Sequence, residues 1–171
     1  MPNKTALVTG ASEGIGAEFI QILAARGYDL ILVARSEDKL NKLAAKAETE
    51  FNIKCTVIMA DLSQSKAAHN LFQRVQELSL DVNFLINNAG LLKNGFFNEL
   101  SLEEQEKMIA VNVIALTSLT HLFANYMASK AGGYILNVAS LAGWMAIPNQ
   151  NVYAATKAYV LAFTQALANE M

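Results

Sequence analysis

Five short apolar runs punctuate the chain, at residues 6–8, 30–33, 57–59, 84–86 and 134–138, the last interrupted only by Asn137. None alternates apolar with polar. Runs of this kind predict strands buried on both faces, as in a parallel sheet covered by helices. Helical spacing fills the intervals. An amphipathic stretch at 15–26 is closed by Gly27. Ser36 starts the next helix, with Glu37 and Asp38 in its first turn, where the helix dipole favours acids. A third helix is predicted over 63–80. Ser101 and Glu104 form a capping box that opens a long helix to about Ser129, and a last helix runs from about Gln150 to the end. Strand–helix alternation predicts one α/β domain, a doubly wound parallel sheet. There is no repeat, linker or low-complexity segment.

Composition narrows this picture by exclusion. Of 171 residues, 53% are hydrophobic and 16% charged, enough for a sizeable core and too apolar for disorder. The net charge of −2 gives no electrostatic reason to expect a nucleic-acid partner. Cys55 is the only cysteine and lies in an apolar run, so it reads as a buried strand residue. His69 and His121 have no Cys or carboxylate at ligand spacing, so no metal site is expected. The first ten residues run almost directly into a strand, without the basic and apolar regions of a signal peptide. No stretch approaches the ~20 uninterrupted apolar residues that span a bilayer. A cytoplasmic protein with no membrane partner is the expectation.

In open α/β sheets, ligands sit beyond the carboxyl ends of the strands. After the first strand comes Thr9-Gly10-Ala11-Ser12-Glu13-Gly14-Ile15-Gly16. Glycines leading into a helix let backbone amides approach a phosphate at the positive end of the helix dipole. Gly10 can make the turn, Gly14 can admit a pyrophosphate, and Gly16 can let helix and strand pack. The spacing differs from the common G-x-G-x-x-G. After the second strand, Arg35 would attract a ribose 2′-phosphate where an acid would repel it, and Ser12 could add a hydroxyl. Glu13 is an adverse neighbour unless it points to solvent. The plain alternative for Arg35 is a surface residue near a helix start. Asp61-Leu62, after the third strand, could meet an adenine amino group or simply form a turn. Asn87-Asn88-Ala89-Gly90, after the fourth, would floor a ribose and nicotinamide.

Tyr153 and Lys157 lie four residues apart on the last helix, so they share a face. A free phenol holds its proton until about pH 10. An ammonium group at ~5 Å is worth about 3 kcal/mol to a phenolate, enough for acid–base work nearer neutrality. Ser140, after the fifth strand, could hydrogen-bond a reacting oxygen. Asn112, within an apolar stretch of the long helix, must find buried partners. It could bind backbone groups and hold a water near Lys157, or be a satisfied core residue.

Together these residues closely resemble the short-chain dehydrogenase/reductase family. Residues 9–16 match its Thr-Gly-x-x-x-Gly-x-Gly motif and residues 87–90 its Asn-Asn-Ala-Gly motif. Asn112, Ser140, Tyr153 and Lys157 match its catalytic tetrad in order and position. The resemblance implies a Rossmann-type domain over residues 1–171 that binds NADP, with NAD possible. It implies cofactor contacts at Gly10, Ser12, Gly14, Ile15, Gly16, Arg35, Asp61, Leu62, Asn88, Ala89, Gly90, Tyr153 and Lys157. Tyr153 would exchange a proton with an alcohol or carbonyl substrate while hydride passes to or from the cofactor. Leu91, Leu92, Leu141, Trp144 and Met145 would favour an apolar substrate. Homo-oligomers through the helices of Asn112 and Tyr153 are expected. Family members continue beyond the catalytic lysine, so five strands are expected here with the C-terminal strands missing, and residues 134–138 as an exposed edge. A non-catalytic dinucleotide-binding or regulatory module is the alternative, and an isomerase, epimerase or dehydratase on the same scaffold is a third.

Overall fold

The computed structural model describes residues 4–130 and 132–171. The first three residues of the lead-in to the first strand lie outside them. Five strands form one parallel sheet: β1 (Thr5–Thr9), β2 (Asp29–Ala34), β3 (Cys55–Met59), β4 (Val82–Asn87) and β5 (Tyr134–Asn137). Their order is β3-β2-β1-β4-β5, and all four pairings are parallel. The chain leaves β1 towards β2 and β3, then crosses back to β4. The order therefore reverses between β1 and β4, which opens a crevice at their carboxyl ends.

The strand side chains divide between two cores. Leu7, Ile31 and Leu85 pack with Leu71, Val75, Leu119 and Phe123. The last four belong to α3 (Ala67–Glu77) and α5 (Leu116–Ala128). Ala6, Val8, Leu30, Leu32 and Ile86 face the other way, onto Ile20, Leu23, Leu40 and Ala44. These lie on α1 (Gly14–Ala25) and α2 (Glu37–Phe51). Each fully buried Leu or Ile contributes about 1.5–3 kcal/mol. Burial on both faces holds for β1 and β2 but not for the sheet edges. Met59 on β3 is 63% exposed and Tyr134 on β5 is 69% exposed. Cys55 is accordingly half-buried rather than buried. Desolvation, with Glu48 and Asp29 adding to it, pushes its thiol up to about 12, which makes it a poor nucleophile.

Two elements depart from the sequence expectation. The third helix begins at Ala67 rather than at residue 63. The Asp61 carboxylate accepts hydrogen bonds from the Ser63 backbone and hydroxyl and from Gln64, and this local bonding holds the segment in a turn. The long helix is not uniform: α4 (Leu102–Ile109) and α5 flank a π-helical segment, Ala110–Ala115. Such single-turn bulges concentrate at functional sites, and Asn112 lies inside this one. The combined stretch is long and apolar enough to cross a membrane by length and composition. Met108, Leu119 and Phe123 nevertheless point into the protein core. The last helix, α6 (Asn151–Glu170), packs over the turn Leu141–Gly143, α4 and the π-helical segment.

Candidate active site

At the crevice, three chain segments interlock through Thr9. Its hydroxyl accepts from the backbone N–H of Asn88 and of Ala89, at 3.1 and 3.0 Å, and donates to the Ile86 carbonyl. Asn88 returns the tie: its side-chain amide donates to the carbonyls of Thr9 and Gly10, at 3.0 and 3.1 Å. Gly10 turns the chain with φ +66°, a region L side chains rarely enter. Gly16 lies so close beneath it that a Cβ there would run into the Gly10 carbonyl.

A cleft of about 650 Å³ crosses these strand tips, within the ~300–1,000 Å³ typical of small-molecule sites. Nine of the expected cofactor residues line it: Gly10, Ser12, Ile15, Arg35, Asp61, Leu62, Asn88, Ala89 and Gly90. The strand order fixes their sequence across the cleft, from Asp61 and Leu62 after β3, through Arg35 after β2 and Gly10 after β1, to Gly90 after β4. Gly14, Gly16, Tyr153 and Lys157 are not among the lining residues. Asp61 lies here too, although its carboxylate is occupied by turn hydrogen bonds. Burial pulls its pKa upward, but the bonds from Ser63 and Gln64, with the Arg35 charge, outweigh that and leave it below the usual value.

The sequence reading did not pick out Lys39, which lines the same cleft. Its ammonium group lies 2.7 Å from Glu13 Oε2. That hydrogen bond and charge, helped by Arg35, hold the Glu13 carboxyl below its ordinary range. The signal available was a second cation four residues after Arg35. Its pairing with a residue 26 positions away was not legible.

Past the Gly90 end of the cleft lie the residues expected to do the chemistry. Lys157 is 4% exposed, and its Nζ donates to the Val138 carbonyl at 2.8 Å. Desolvation lowers its pKa from the usual lysine value. The ammonium lies 5.9 Å from the centroid of the Tyr153 ring. Asn112 is fully buried. Its amide clamps the Leu91 backbone and also donates to Thr156 Oγ1 at 3.0 Å. Thr156, also missed from sequence, donates a hydrogen bond from its hydroxyl to the Tyr153 backbone carbonyl at 2.7 Å. Asn112 and Lys157 converge on Gly90: a Cβ built there would stand 3.5 Å from Asn112 Oδ1 and 3.6 Å from Lys157 Nζ.

Ser140 follows β5 and caps the turn Leu141–Gly143, its Oγ accepting from the Ala142 N–H at 3.2 Å. The hydroxyl proton remains available to another acceptor. Gly143 brings this turn against α6, where a Cβ would sit 2.7 Å from the Lys157 carbonyl oxygen. Trp144, Met145, Ile147 and Pro148, with Ala154 and Ala158 of α6, enclose a second hollow of about 600 Å³. Of the residues expected to surround an apolar substrate, Trp144 and Met145 line this hollow and Leu91 lines the first cleft. Leu92 and Leu141 line neither.

The family model described as short chain dehydrogenase matches residues 4–171. The chain is 34% identical over 164 residues to a 7beta-hydroxysteroid dehydrogenase of Collinsella aerofaciens, covering 96% of this chain and 62% of that protein. It is 37% identical over 171 residues to a very-long-chain 3-oxoacyl-CoA reductase of Pyrenophora tritici-repentis, covering 97% and 50%. Among solved structures, a short-chain dehydrogenase from Sphingobium yanoikuyae in complex with NADPH superposes with a TM-score of 0.92 at 36% identity, covering 98% of this chain and 65% of that one. A bulky-bulky ketone specific alcohol dehydrogenase from Comamonas testosteroni gives 0.93 at 35%, covering 99% and 68%. The chain thus spans between half and two thirds of the length of these curated relatives.

Proposed function

Because this chain belongs to the short-chain dehydrogenase family, we propose that it binds NADP(H) across the strand tips and serves hydride exchange with an alcohol or carbonyl carbon. One observation carries this reading: Asn112 and Lys157 converge on Gly90, at the side of a cleft that also receives Arg35 and the glycine turn. The donors suit the cofactor. The glycine turn and the start of α1 offer backbone amides to a pyrophosphate, and Arg35 offers a charged fork to a 2′-phosphate. The Sphingobium relative holds NADPH.

When bound, the nicotinamide supplies or receives the hydride. The chain's own groups handle the oxygen. Tyr153 passes a proton to or from the substrate oxygen, and the Lys157 ammonium supplies a positive charge beside the phenol. Ser140 donates a hydrogen bond from its hydroxyl to the same oxygen. Asn112 holds the Gly90–Leu91 backbone against Lys157. The apolar hollow lined by Trp144, Met145 and Ile147 supports an apolar ketone or secondary alcohol as substrate.

Self-association belongs to the same reading. Ile109 and Ile114 are 41% and 60% exposed, and Tyr159 stacks on Phe163 along α6. A second copy would cover these groups, and light scattering would report it. Residence in the cytoplasm completes the reading. Burial of Met108, Leu119 and Phe123 in the core supports reading residues 102–128 as a core element rather than a membrane span.

NADPH fluorescence titration tests binding, and turnover over a panel of ketones and aldehydes tests chemistry. Tyr153→Phe is expected to bind NADPH normally and to lose turnover by about 10²–10⁴-fold, the usual contribution of a positioned acid. Absence of saturable binding removes the proposal. Binding without turnover of any oxidisable or reducible substrate favours the binding-module reading, and redox-neutral conversion favours an isomerase or dehydratase.

A further inference from the structure

The cation cluster beside Arg35 contains an anion that the preference for a phosphorylated cofactor does not require. Glu13 and Lys39 both line the nucleotide cleft and are joined by an ion pair of 2.7 Å. Glu13 stands at the N-cap of α1 with extended backbone, yet its side chain makes no capping hydrogen bond. It reaches instead to α2, 26 residues away, to occupy the ammonium of Lys39. The side chains are 58% and 75% exposed, Lys39 and Glu13 respectively, and exposed pairs of this kind are weak and readily exchanged.

We propose that Glu13 is a cofactor-discriminating residue: its carboxylate occupies Lys39 in place of the ribose 2′-phosphate and must be displaced when NADP(H) binds. This inference rests on the NADP reading above and adds a residue and a direction to it. A 2′-phosphate brings up to two negative charges to a site where Arg35 and Lys39 offer two positive ones. Glu13 cancels one of these by pairing with Lys39. NAD(H) carries an uncharged hydroxyl at that position and has no need of Lys39. Glu13 therefore narrows the preference for NADP over NAD below what Arg35 and Lys39 would give alone.

The test is fluorescence titration of the full chain with NADPH and with NADH, for the wild type, Glu13→Gln, Lys39→Met and the double variant. Melting temperatures of all four check that the fold is kept. Glu13→Gln is expected to tighten NADPH by about 3–5-fold, the upper end of the scale of an exposed charge pair, and to change NADH by less than about twofold. In the Lys39→Met background the same substitution should gain less than about twofold. Preference for NADPH in the wild type with no response to Glu13→Gln overturns this inference alone. So does an equal response of NADH, or a full gain in the Lys39→Met background. Absence of any NADPH preference in the wild type and in Glu13→Gln overturns the NADP reading and this inference together.

Discussion

Asn112 grips the backbone of Leu91 from both sides, its Oδ1 accepting from the Leu91 N–H at 2.8 Å and its Nδ2 donating to the Leu91 carbonyl at 2.9 Å. The two residues are 21 positions apart, so the grip ties the segment after β4 to the π-helical turn. Asn112→Ala would strand a backbone donor and acceptor, and a buried group left without a partner costs about 1–3 kcal/mol. A loss of about 2–6 kcal/mol in urea unfolding is expected. A loss below about 1 kcal/mol would mean that water replaces the amide at little cost and that Asn112 does not position Gly90.

Gly16 and Gly27 make a controlled pair. A Cβ on Gly16 would strike the Gly10 carbonyl and lie 2.7 Å from Asn88 Nδ2, whereas one on Gly27 would meet nothing within 4 Å. Gly27 instead has φ +75°, which costs an L residue about 1–2 kcal/mol. Forced packing at Gly16 costs about 1–3 kcal/mol. Gly16→Ala and Gly27→Ala should therefore destabilise by similar amounts. Only Gly16→Ala should also weaken NADPH, by about tenfold or more, because only it displaces the glycine turn. Equal NADPH affinities for the two variants would dissociate the turn from cofactor binding.

Much of this was legible because the deciding forces are local. Residues 30–33 are apolar without a break and are fully buried in β2. Gly10 and Gly16 announced a turn whose backbone must come close. What escaped depended on distant partners. The apolar residues Val111, Val113 and Ile114 continue a helical pattern, so nothing marked the π-helical insertion at Asn112. Ser63 looked like a helix start until Asp61 was seen to take its N–H and hydroxyl. Lys39 was one polar residue among several on an amphipathic helix, and Thr156 one hydroxyl beside Tyr153. Their roles come from Glu13 and Asn112, which only the folded chain brings to them.

Lys157 gives a pH signature with a definite sign. Burial lowers its pKa from the 10.5 of a free lysine. In the window between the lowered value and about 10.5, the unfolded chain binds more protons than the folded one, so folding stability rises with pH through this group. Below the window the desolvation penalty is fully present. Chemical denaturation at several alkaline pH values should show the wild type gaining stability relative to Lys157→Met as the pH approaches 10.5. A constant difference would mean that the ammonium is better solvated than its 4% exposure implies.

Thr9 offers the sharpest separation of a hydroxyl from its methyl group. It is 1% exposed, and its Oγ1 accepts two backbone N–H bonds, from Asn88 and Ala89. These bonds fasten the end of β4 to the end of β1, the two strands that frame the crevice. Thr9→Val keeps the shape and removes the acceptor, leaving two donors unpaired at about 1–3 kcal/mol each. Thr9→Ser keeps the acceptor and removes a methyl group, a loss of about 1 kcal/mol. Thr9→Val is therefore expected to be less stable than Thr9→Ser by about 1–5 kcal/mol in urea unfolding. It should also weaken NADPH binding, because Asn88, Ala89 and Gly90 would no longer be held against the glycine turn. If Thr9→Ser proves the more damaged variant, packing of the methyl group rather than the paired hydrogen bonds sets the geometry of the crevice.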